Sequence, residues 1–214
     1  MGRTISPSPP HLGARQKLLD AALSLIREQG YASTSVGDLC AAAGVTKGAL
    51  FHHFDSKDAL AVAAANHWSE LTGTLFANAP YHQHSDSLDR VLAYLDFRKA
   101  LLRGELAEFT CLVGTMVQEV YGTCPDIREA CEASISGHAA TLEADIAEAM
   151  KRYRVRGQWT ATSLALHTQA VLQGAFVLAK AKGSAAVAAA SIDHLHRYIE
   201  LLFQPVKRKT KEIS

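Results

Sequence analysis

The sequence predicts an all-α protein of about nine helices, in which a small N-terminal domain of three helices precedes a larger helical domain. Two observations lead to this prediction. Apolar residues recur at helical spacing along most of the chain, and no segment alternates polar and apolar residues as a half-buried strand does. Glycine and proline separate the helical segments, for example at Gly30, Gly44 and Pro125. Apolar residues make up 48% and charged residues 20% of the 214, which is typical of a protein with a buried core.

The first predicted helix runs from residue 13 to residue 29. Gly30 ends it, and its apolar stripe consists of Leu18, Leu19, Ala22, Leu25 and Ile26. Arg15 and Lys17 lie in its first turn, where a cation opposes the helix dipole. These two residues are therefore expected either to meet a negatively charged partner or to form an ordinary solvated surface.

Two short helices joined by a tight turn are predicted next. Thr34 or Ser35 can cap the first of them, and Gly44 is the residue type that ends a helix in a left-handed conformation. Thr46 can cap the second, which runs from residue 47 to residue 54. This second helix begins with small, polar and basic residues, an arrangement that suits entry into the major groove of DNA by its N-terminus.

The outward residues of this helix-turn-helix are predicted to bind double-stranded DNA. Phosphate or sugar contacts are expected of Thr34, Phe51 and Lys57, and backbone or base-edge contacts of the residues at the cap and on the rest of the second helix. The predicted set is Thr34, Ser35, Thr46, Lys47, Gly48, Phe51, His52, His53 and Lys57. Short helices joined by a glycine turn also occur in proteins with no DNA partner, so a helical adaptor that does not bind DNA is an alternative.

The same segment resembles the DNA-binding end of the tetracycline-repressor (TetR) family. The matching positions are Thr34-Ser35-Val36, Leu39, Ala43-Gly44-Val45-Thr46, Gly48, Leu50-Phe51, His53-Phe54, Ser56-Lys57 and Leu60. Phe51 stands where the family usually has tyrosine, so a phenolic hydroxyl is missing. The resemblance implies a homodimeric repressor that binds a pseudo-palindromic operator and that a small organic inducer releases from it.

Six further helices are predicted from periodicity and breaks. Asp55 or Ser56 can cap the fourth helix, which is expected to support both domains, and a polar loop follows at 81–87. The predicted ranges are 57–78, 85–104, 105–121, 125–154, 160–182 and 185–203. The predicted organisation is a disordered arm (1–12), a DNA-binding domain (13–57), a ligand-binding and dimerisation domain (58–204) and a charged tail (205–214).

The last two predicted helices carry more apolar residues than one buried face requires. The predicted dimer interface is Leu164, Thr168, Val171, Ala175, Leu195, Tyr198, Ile199 and Leu202. A two-fold dimer would place two recognition helices about 34–36 Å apart, matching one turn of DNA. The resemblance implies a four-helix bundle formed with a second subunit, and a monomeric core is the alternative.

Aromatic residues and a few polar groups in the middle helices suit a small-molecule cavity. The predicted ligand-binding residues are Trp68, Tyr94, Phe97, Phe109, Cys111, Met116, Tyr121, His167 and Gln173. Each of them alone also suits a plain core, so the ligand follows mainly from the resemblance. Few acidic residues interrupt the apolar stripes, so a neutral or weakly charged organic ligand is expected.

A thiol-modified repressor, sensing an electrophile or an oxidant, is the second alternative for regulation. Cys111, Cys124 and Cys131 lie in or near the predicted ligand-binding domain, and Cys124 precedes a helix start, where a thiolate is favoured. Four cysteines without C-x-x-C spacing indicate reduced, structural thiols in a cytoplasmic protein.

Several other functions find no support in the sequence. The net charge of +1 provides no attraction between the whole molecule and DNA, so any basic surface is local. No apolar run has the length of a membrane span. Motifs of hydrolases, phosphate-binding loops and helical metal sites are missing, so we expect no enzyme and no cofactor. His82 and His84 form an H-x-H in a polar loop, which is more often solvated than metal-bound, so no metal is expected.

Overall fold

The computed structural model describes residues 13–204; the predicted arm at 1–12 and tail at 205–214 lie outside the described residues. Within that range the chain is all-α, as predicted, and contains no strand. The ten α-helices are α1 (Ala14–Gln29), α2 (Val36–Ala43), α3 (Lys47–His53), α4 (Lys57–Ala77), α5 (Ser87–Ala100), α6 (Leu106–Phe109), α7 (Leu112–Val120), α8 (Pro125–Arg152), α9 (Ala161–Lys182) and α10 (Ala185–Phe203). None of these helices is long and apolar enough to cross a membrane.

Local hydrogen bonds fix the ends of the helix-turn-helix. The Ser35 hydroxyl accepts from the Asp38 backbone N–H at 3.1 Å, and the Asp38 carboxylate accepts from the Ser35 N–H at 2.8 Å. Gly44 ends α2 at φ 63° and ψ 39°, a left-handed conformation that a Cβ atom disfavours. The Thr46 hydroxyl then caps α3 by accepting from the Ala49 N–H at 3.1 Å. The predicted caps and turn of this motif are therefore present.

The predicted helix at 105–121 is wrong, because it is two helices in the structure. Thr110 is extended, at φ −82° and ψ 158°, and separates α6 from α7. The Cys111 sulfur then caps α7 by accepting from the Gly114 N–H at 3.4 Å. The apolar periodicity continues across this break, so the pattern gave no sign of it. The neighbouring helix also ends earlier than predicted, at Ala100, and Gly104 turns the chain at a positive φ of 76°.

Two apolar cores share the long helix α4. Leu60, Ala61 and Ala64 in its first half pack with α1, α2, α3 and α7. Phe76 near its end instead packs with α5, α8, α9 and α10. The predicted loop before α5 contains a short 3₁₀ helix, Pro80–Gln83, whose buried Tyr81 belongs to the second core. Helix α4 therefore connects the N-terminal helices to the larger domain, as predicted.

Candidate DNA-binding surface, cavity and partner face

Helix α3 turns one face to the core and the other to solvent. Leu50 on the inner face is fully buried, whereas the Phe51 side chain is 52% exposed. The remaining predicted residues on the outer side of this helix and at its cap are also exposed: Thr46, Lys47, Gly48, His52 and His53. Because the outer face carries no carboxylate, α3 can approach a phosphate backbone without like-charge repulsion.

Thr34 does not belong to this surface, and its predicted phosphate contact is wrong. The residue is fully buried, and its hydroxyl donates to the Gly30 carbonyl at 2.6 Å. The Gln29 side-chain amide donates to the same hydroxyl at 3.3 Å. Thr34 therefore stabilises the turn between α1 and α2, and Ser35, which is exposed, is the cap of α2.

Lys57 is held by the protein itself. Its ammonium donates to the Tyr31 carbonyl at 2.7 Å and lies 4.0 Å from the centre of the Tyr31 ring. Partial burial lowers the pKa of Lys57. The Tyr31 hydroxyl donates in turn to the Asp58 carboxylate. Lys57 therefore ties the start of α4 to the turn after α1, and contact with DNA through its remaining N–H groups stays a prediction.

A cavity of about 160 Å³ lies between α4, α5, α8 and α9 and is closed on one side by α6 and the start of α7. Its walls are largely aromatic and aliphatic. Four of the predicted ligand-binding residues line it: Trp68, Phe109, Cys111 and Gln173. A concave, mostly apolar space with a few polar groups is the usual form of a small-molecule site.

The other predicted ligand residues fall into two groups. Tyr94 and Phe97 lie behind the wall, where both rings pack against Phe76 of the lining. The remaining three lie away from this cavity: Met116 is buried in the other core, Tyr121 is 67% exposed, and His167 is an exposed residue whose ring faces Tyr198. Helical spacing identified apolar or aromatic positions but not the side of the bundle on which each one lies.

Polar groups that the sequence analysis missed complete the cavity. His138, Gln169 and Arg98 come from three different helices and line one space. The Tyr94 hydroxyl lies 3.0 Å from His138 Nε2 and accepts from the Gln169 amide at 3.2 Å. Burial, assisted by the nearby positive charge of Arg98, lowers the pKa of His138 to about 4, so this imidazole is neutral at pH 7.

Helices α6 and α7 connect the cavity to the DNA-binding half. Arg27 of α1 donates to the Glu108 carbonyl at 3.1 Å, and its guanidinium lies 5.0 Å from the ring centre of Trp68. At the other end of α7, the Glu119 carboxylate accepts from the backbone N–H groups of Tyr31 at 3.2 Å and Ala32 at 2.7 Å. Two attachments therefore join α6 and α7 to α1 and to the turn that follows it.

The cysteines differ in their surroundings. Burial raises the pKa of the Cys131 thiol to about 12, so it stays protonated. The Cys124 thiol donates to the Asp58 carboxylate at 3.7 Å. Cys111 is half-buried and lines both the cavity and a neighbouring groove with Lys180.

The predicted dimer residues lie mostly inside the subunit. Five of the eight are buried within it, so their assignment to a dimer surface is wrong: Leu164, Thr168, Ala175, Leu195 and Ile199. Val171 and Leu202 are half-buried, and Tyr198 is 45% exposed. The large apolar side chains that the two helices expose, of which only Tyr198 was predicted, are called here the α9–α10 face: Leu166, Val177, Leu178, Tyr198 and Leu201. This set makes up half of the ten large apolar residues that are exposed between residues 13 and 204.

Two family models match this chain. Residues 18–64 match the model described as bacterial regulatory proteins, tetR family. Residues 87–195, half of the chain, match the model described as tetracyclin repressor-like, C-terminal domain. The first match covers α2 and α3, and the second covers α5 to α9 and most of α10.

Individual relatives agree with these models. The HTH-type transcriptional repressor KstR2 of Rhodococcus jostii is 48% identical over 48 residues, which span 22% of this chain and 24% of that repressor. A TetR transcriptional regulator from Chloroflexus aurantiacus superposes with a TM-score of 0.75 at 28% identity, covering 87% of this chain and 94% of the other. A cysteine mutant of the TetR family regulator CifR, solved in complex with 26-bp double-strand operator DNA, superposes with a TM-score of 0.72 at 19% identity. That match covers 89% of this chain and 98% of the other.

The neutral state of His138 predicts how stability depends on pH. Because its pKa is lower in the folded protein (about 4) than its ordinary value of 6.5, protonation favours unfolding. The stabilisation is complete above pH 6.5 and is lost as the pH falls from 6.5 towards 4. We expect the free energy of unfolding of the wild type to fall, relative to that of His138→Gln, by about 1.4 kcal/mol per pH unit in this window.

Urea unfolding of both proteins between pH 7.5 and 5.0 measures this difference. His194→Gln, at an exposed position on α10, is the matched control and should follow the wild type at every pH. Parallel pH profiles for wild type and His138→Gln would contradict a neutral, buried imidazole.

Proposed function

Because the chain belongs to the TetR family of DNA-binding transcriptional regulators, which are not enzymes, we propose that it is a repressor released from its operator by a small molecule. The repressor acts as a homodimer on a pseudo-palindromic operator, and the inducer occupies the cavity between α4 and α9. The observation that carries this proposal is the exposed face of α3, which begins with Lys47 and Gly48 and has no carboxylate. The complex of the structural neighbour CifR with operator DNA supports the same role for this motif.

The N-terminus of α3 enters the major groove in this proposal. Lys47 supplies the positive charge. Gly48 has no side chain, so the helix can approach the duplex closely at this position. Phe51 packs on sugars and carries no hydroxyl to bind a phosphate. His52 and His53 complete the contact surface at the end of the helix.

The α9–α10 face forms the dimer interface in this proposal. Its five large apolar side chains would otherwise remain in water, whereas a second copy of the same face would cover them in a four-helix bundle. Gly174, which is exposed on α9 and has open space where a Cβ would lie, allows the partner helices to approach closely.

Release from DNA follows from the attachments of α6 and α7. A ligand that displaces Trp68 or Phe109 moves the packing partner of Arg27, and with it α1. The break between α6 and α7 is where this movement occurs. The buried Thr110 hydroxyl at the break has no hydrogen-bond partner in the described part of the chain, so it does not hold the two helices together. The ligand then favours a separation of the two recognition helices that does not match the operator.

Thiol modification is the second candidate for the trigger, and one observation favours it. Cys111 caps α7, lines the cavity and lies near the cationic side chains of Arg27 and Lys180. A modified Cys111 would act on the same joint between α6 and α7 as a bound ligand.

We expect Lys47→Ala to weaken operator binding in a salt-dependent manner. Each subunit loses one phosphate contact, so the slope of log affinity against log salt should become shallower by about 2 for the dimer. Gel shifts with the DNA next to the gene of this protein, at several stated salt concentrations, measure the slope. Lys151→Ala, which removes an exposed lysine at the far end of α8, should leave it unchanged. A folded dimer that shifts no DNA sequence would instead support the adaptor.

We expect the double variant Leu178→Glu, Leu201→Glu to be monomeric. Both side chains are exposed on the α9–α10 face, and facing carboxylates in a two-fold interface would repel each other. Sedimentation at micromolar concentration measures the oligomeric state. The control is Leu71→Glu, which places the same charge on an equally exposed leucine of α4 and should leave the dimer intact.

We expect induction to survive the replacement of Cys111, Cys124 and Cys131 by serine. If a bound ligand is the trigger, the cavity remains and the triple variant is still released from operator DNA. Loss of induction in a triple variant that still binds DNA would favour the thiol trigger. The matched control is Cys40→Ser, because Cys40 lies in the DNA-binding half and outside the cavity lining.

A further inference from the structure

The cavity contains a positive charge that no side-chain carboxylate of the described residues contacts directly. Arg98 on α5 is the one arginine or lysine among the residues that line it. Between residues 13 and 204, no side-chain carboxylate oxygen lies within 4.0 Å of its guanidinium nitrogens, and none of its N–H groups donates a hydrogen bond to the protein. A half-buried guanidinium has five donors, so this arrangement leaves an uncommon number of them open.

Other cations on the same helix show that the fold pairs such groups where it can. Arg90 donates to the Asp145 carboxylate and to Glu148, both at 2.8 Å. Lys99, next to Arg98 in the sequence, donates to Asp193 at 2.6 Å. The open donors of Arg98 are therefore a property of its position at the cavity.

Two aromatic rings hold the guanidinium without using its donors. Its central carbon lies 5.1 Å from the ring centre of Phe76 and 5.6 Å from that of Phe176, both of which line the cavity. Aromatic faces attract the cation but accept none of its in-plane N–H groups as a carboxylate would. The charge is thus positioned while its hydrogen-bonding edge remains available.

The other polar groups of the cavity do not supply the missing anion. His138 is neutral at pH 7, and the Gln169 amide donates to Tyr94. Glu108 is the one acidic residue of the lining, and its carboxylate already accepts from the backbone N–H of Glu105 at 2.6 Å. No carboxylate of the lining therefore contacts Arg98, and an anionic ligand would complement it directly.

We propose that the cavity binds a small organic monocarboxylate, whose carboxylate pairs with Arg98 and whose hydrocarbon body packs between the aromatic walls. This inference rests on the proposed role of the cavity as the effector site, and it replaces the neutral or weakly charged ligand expected from the sequence. The cavity of about 160 Å³ sets the size, because an apolar cavity of roughly 150 Å³ holds a benzene molecule. One ring, or a short alkyl chain, with a carboxylate at its end fits this volume.

Calorimetry on the purified full-length protein without DNA tests the proposal. The probes are benzoate, phenylacetate and octanoate, each compared with its primary amide, which has the same body and no charge. We expect at least one acid to bind tenfold or more tightly than its amide. Arg98→Met should weaken binding of that acid by about tenfold to a hundredfold, because a charge-assisted pair is lost, and should leave binding of the amide within a few-fold.

Two further variants keep the result interpretable. Arg98→Lys retains the charge and should retain part of the affinity for the acid. Lys99→Met removes the neighbouring, already paired charge and should bind like the wild type. The proposal is overturned if no acid binds the wild type, if the amides bind as tightly as the acids, or if Arg98→Met binds the acid unchanged. The comparison of acid with amide uses the wild type alone. It therefore tests the proposal even if Arg98→Met proves unstable.

A gel shift with the wild type separates this inference from the proposed function. Addition of the bound acid should release operator DNA. If the acid binds through Arg98 but the protein shifts no DNA, the cavity assignment stands and the repressor proposal fails. If DNA binds and no acid does, the repressor proposal stands and the monocarboxylate is wrong.

Discussion

The carboxylate of Glu119 is the contact on which the arrangement of the two halves depends. It lies near the C-terminus of α7, where the helix dipole disfavours a negative charge, and the backbone N–H groups of Tyr31 and Ala32 offset this cost. Gly30 makes the contact possible, because a Cβ at that residue would lie 2.6 Å from a Glu119 oxygen. Its φ of 89° also belongs to a region that favours glycine. The turn after α1 is thus shaped around a carboxylate from the other domain.

Tyr31 extends this contact into the start of α4. Its carbonyl accepts from Lys57, its ring faces the same ammonium, and its hydroxyl donates to Asp58. Tyr31 therefore links α7 both to the turn before α2 and to the first turn of α4. Helix α3 lies between these two points in the chain, so the segments on both of its sides are attached to Tyr31. Through these contacts Lys57 stabilises the fold independently of any contact with DNA.

The helix-turn-helix could be predicted from the sequence because its signals are local. Ser35, Gly44 and Thr46 act within three or four residues of their partners, so each cap could be recognised from its neighbours. The break at Thr110 could not, because the apolar pattern runs through it and the residue is extended for reasons of tertiary packing. Thr34 satisfies the same sequence rule as Ser35, yet only burial decides that its hydroxyl bonds to Gly30 rather than to a phosphate.

Most residues predicted for the dimer surface are core residues of the subunit for a related reason. Periodicity finds the most apolar side of a helix, and in α9 and α10 that side, with Leu195 and Ile199, is the core of the subunit itself. In the proposed dimer the partner surface is the second, less apolar stripe, which only the packed structure distinguishes. The polar residues of the cavity could not be predicted either, because they come from separate helices. Arg98, His138 and Gln169 lie on α5, α8 and α9, and no sequence interval brings them together.

The size of the proposed ligand effect agrees with what one ion pair can supply. To shift a two-state dimer from 1:99 to 99:1, ligands must favour one state by about 10⁴-fold in total. With one cavity in each subunit, two equal sites need a preference of only about 10²-fold each, or about 2.7 kcal/mol. A charge-assisted hydrogen bond contributes about 1.5–3 kcal/mol. If the Arg98–carboxylate pair forms in one state and not in the other, this difference is enough to supply the required preference. A small monoanion can therefore act as a complete switch, provided that the two subunits change state together and that α6 and α7 transmit the difference.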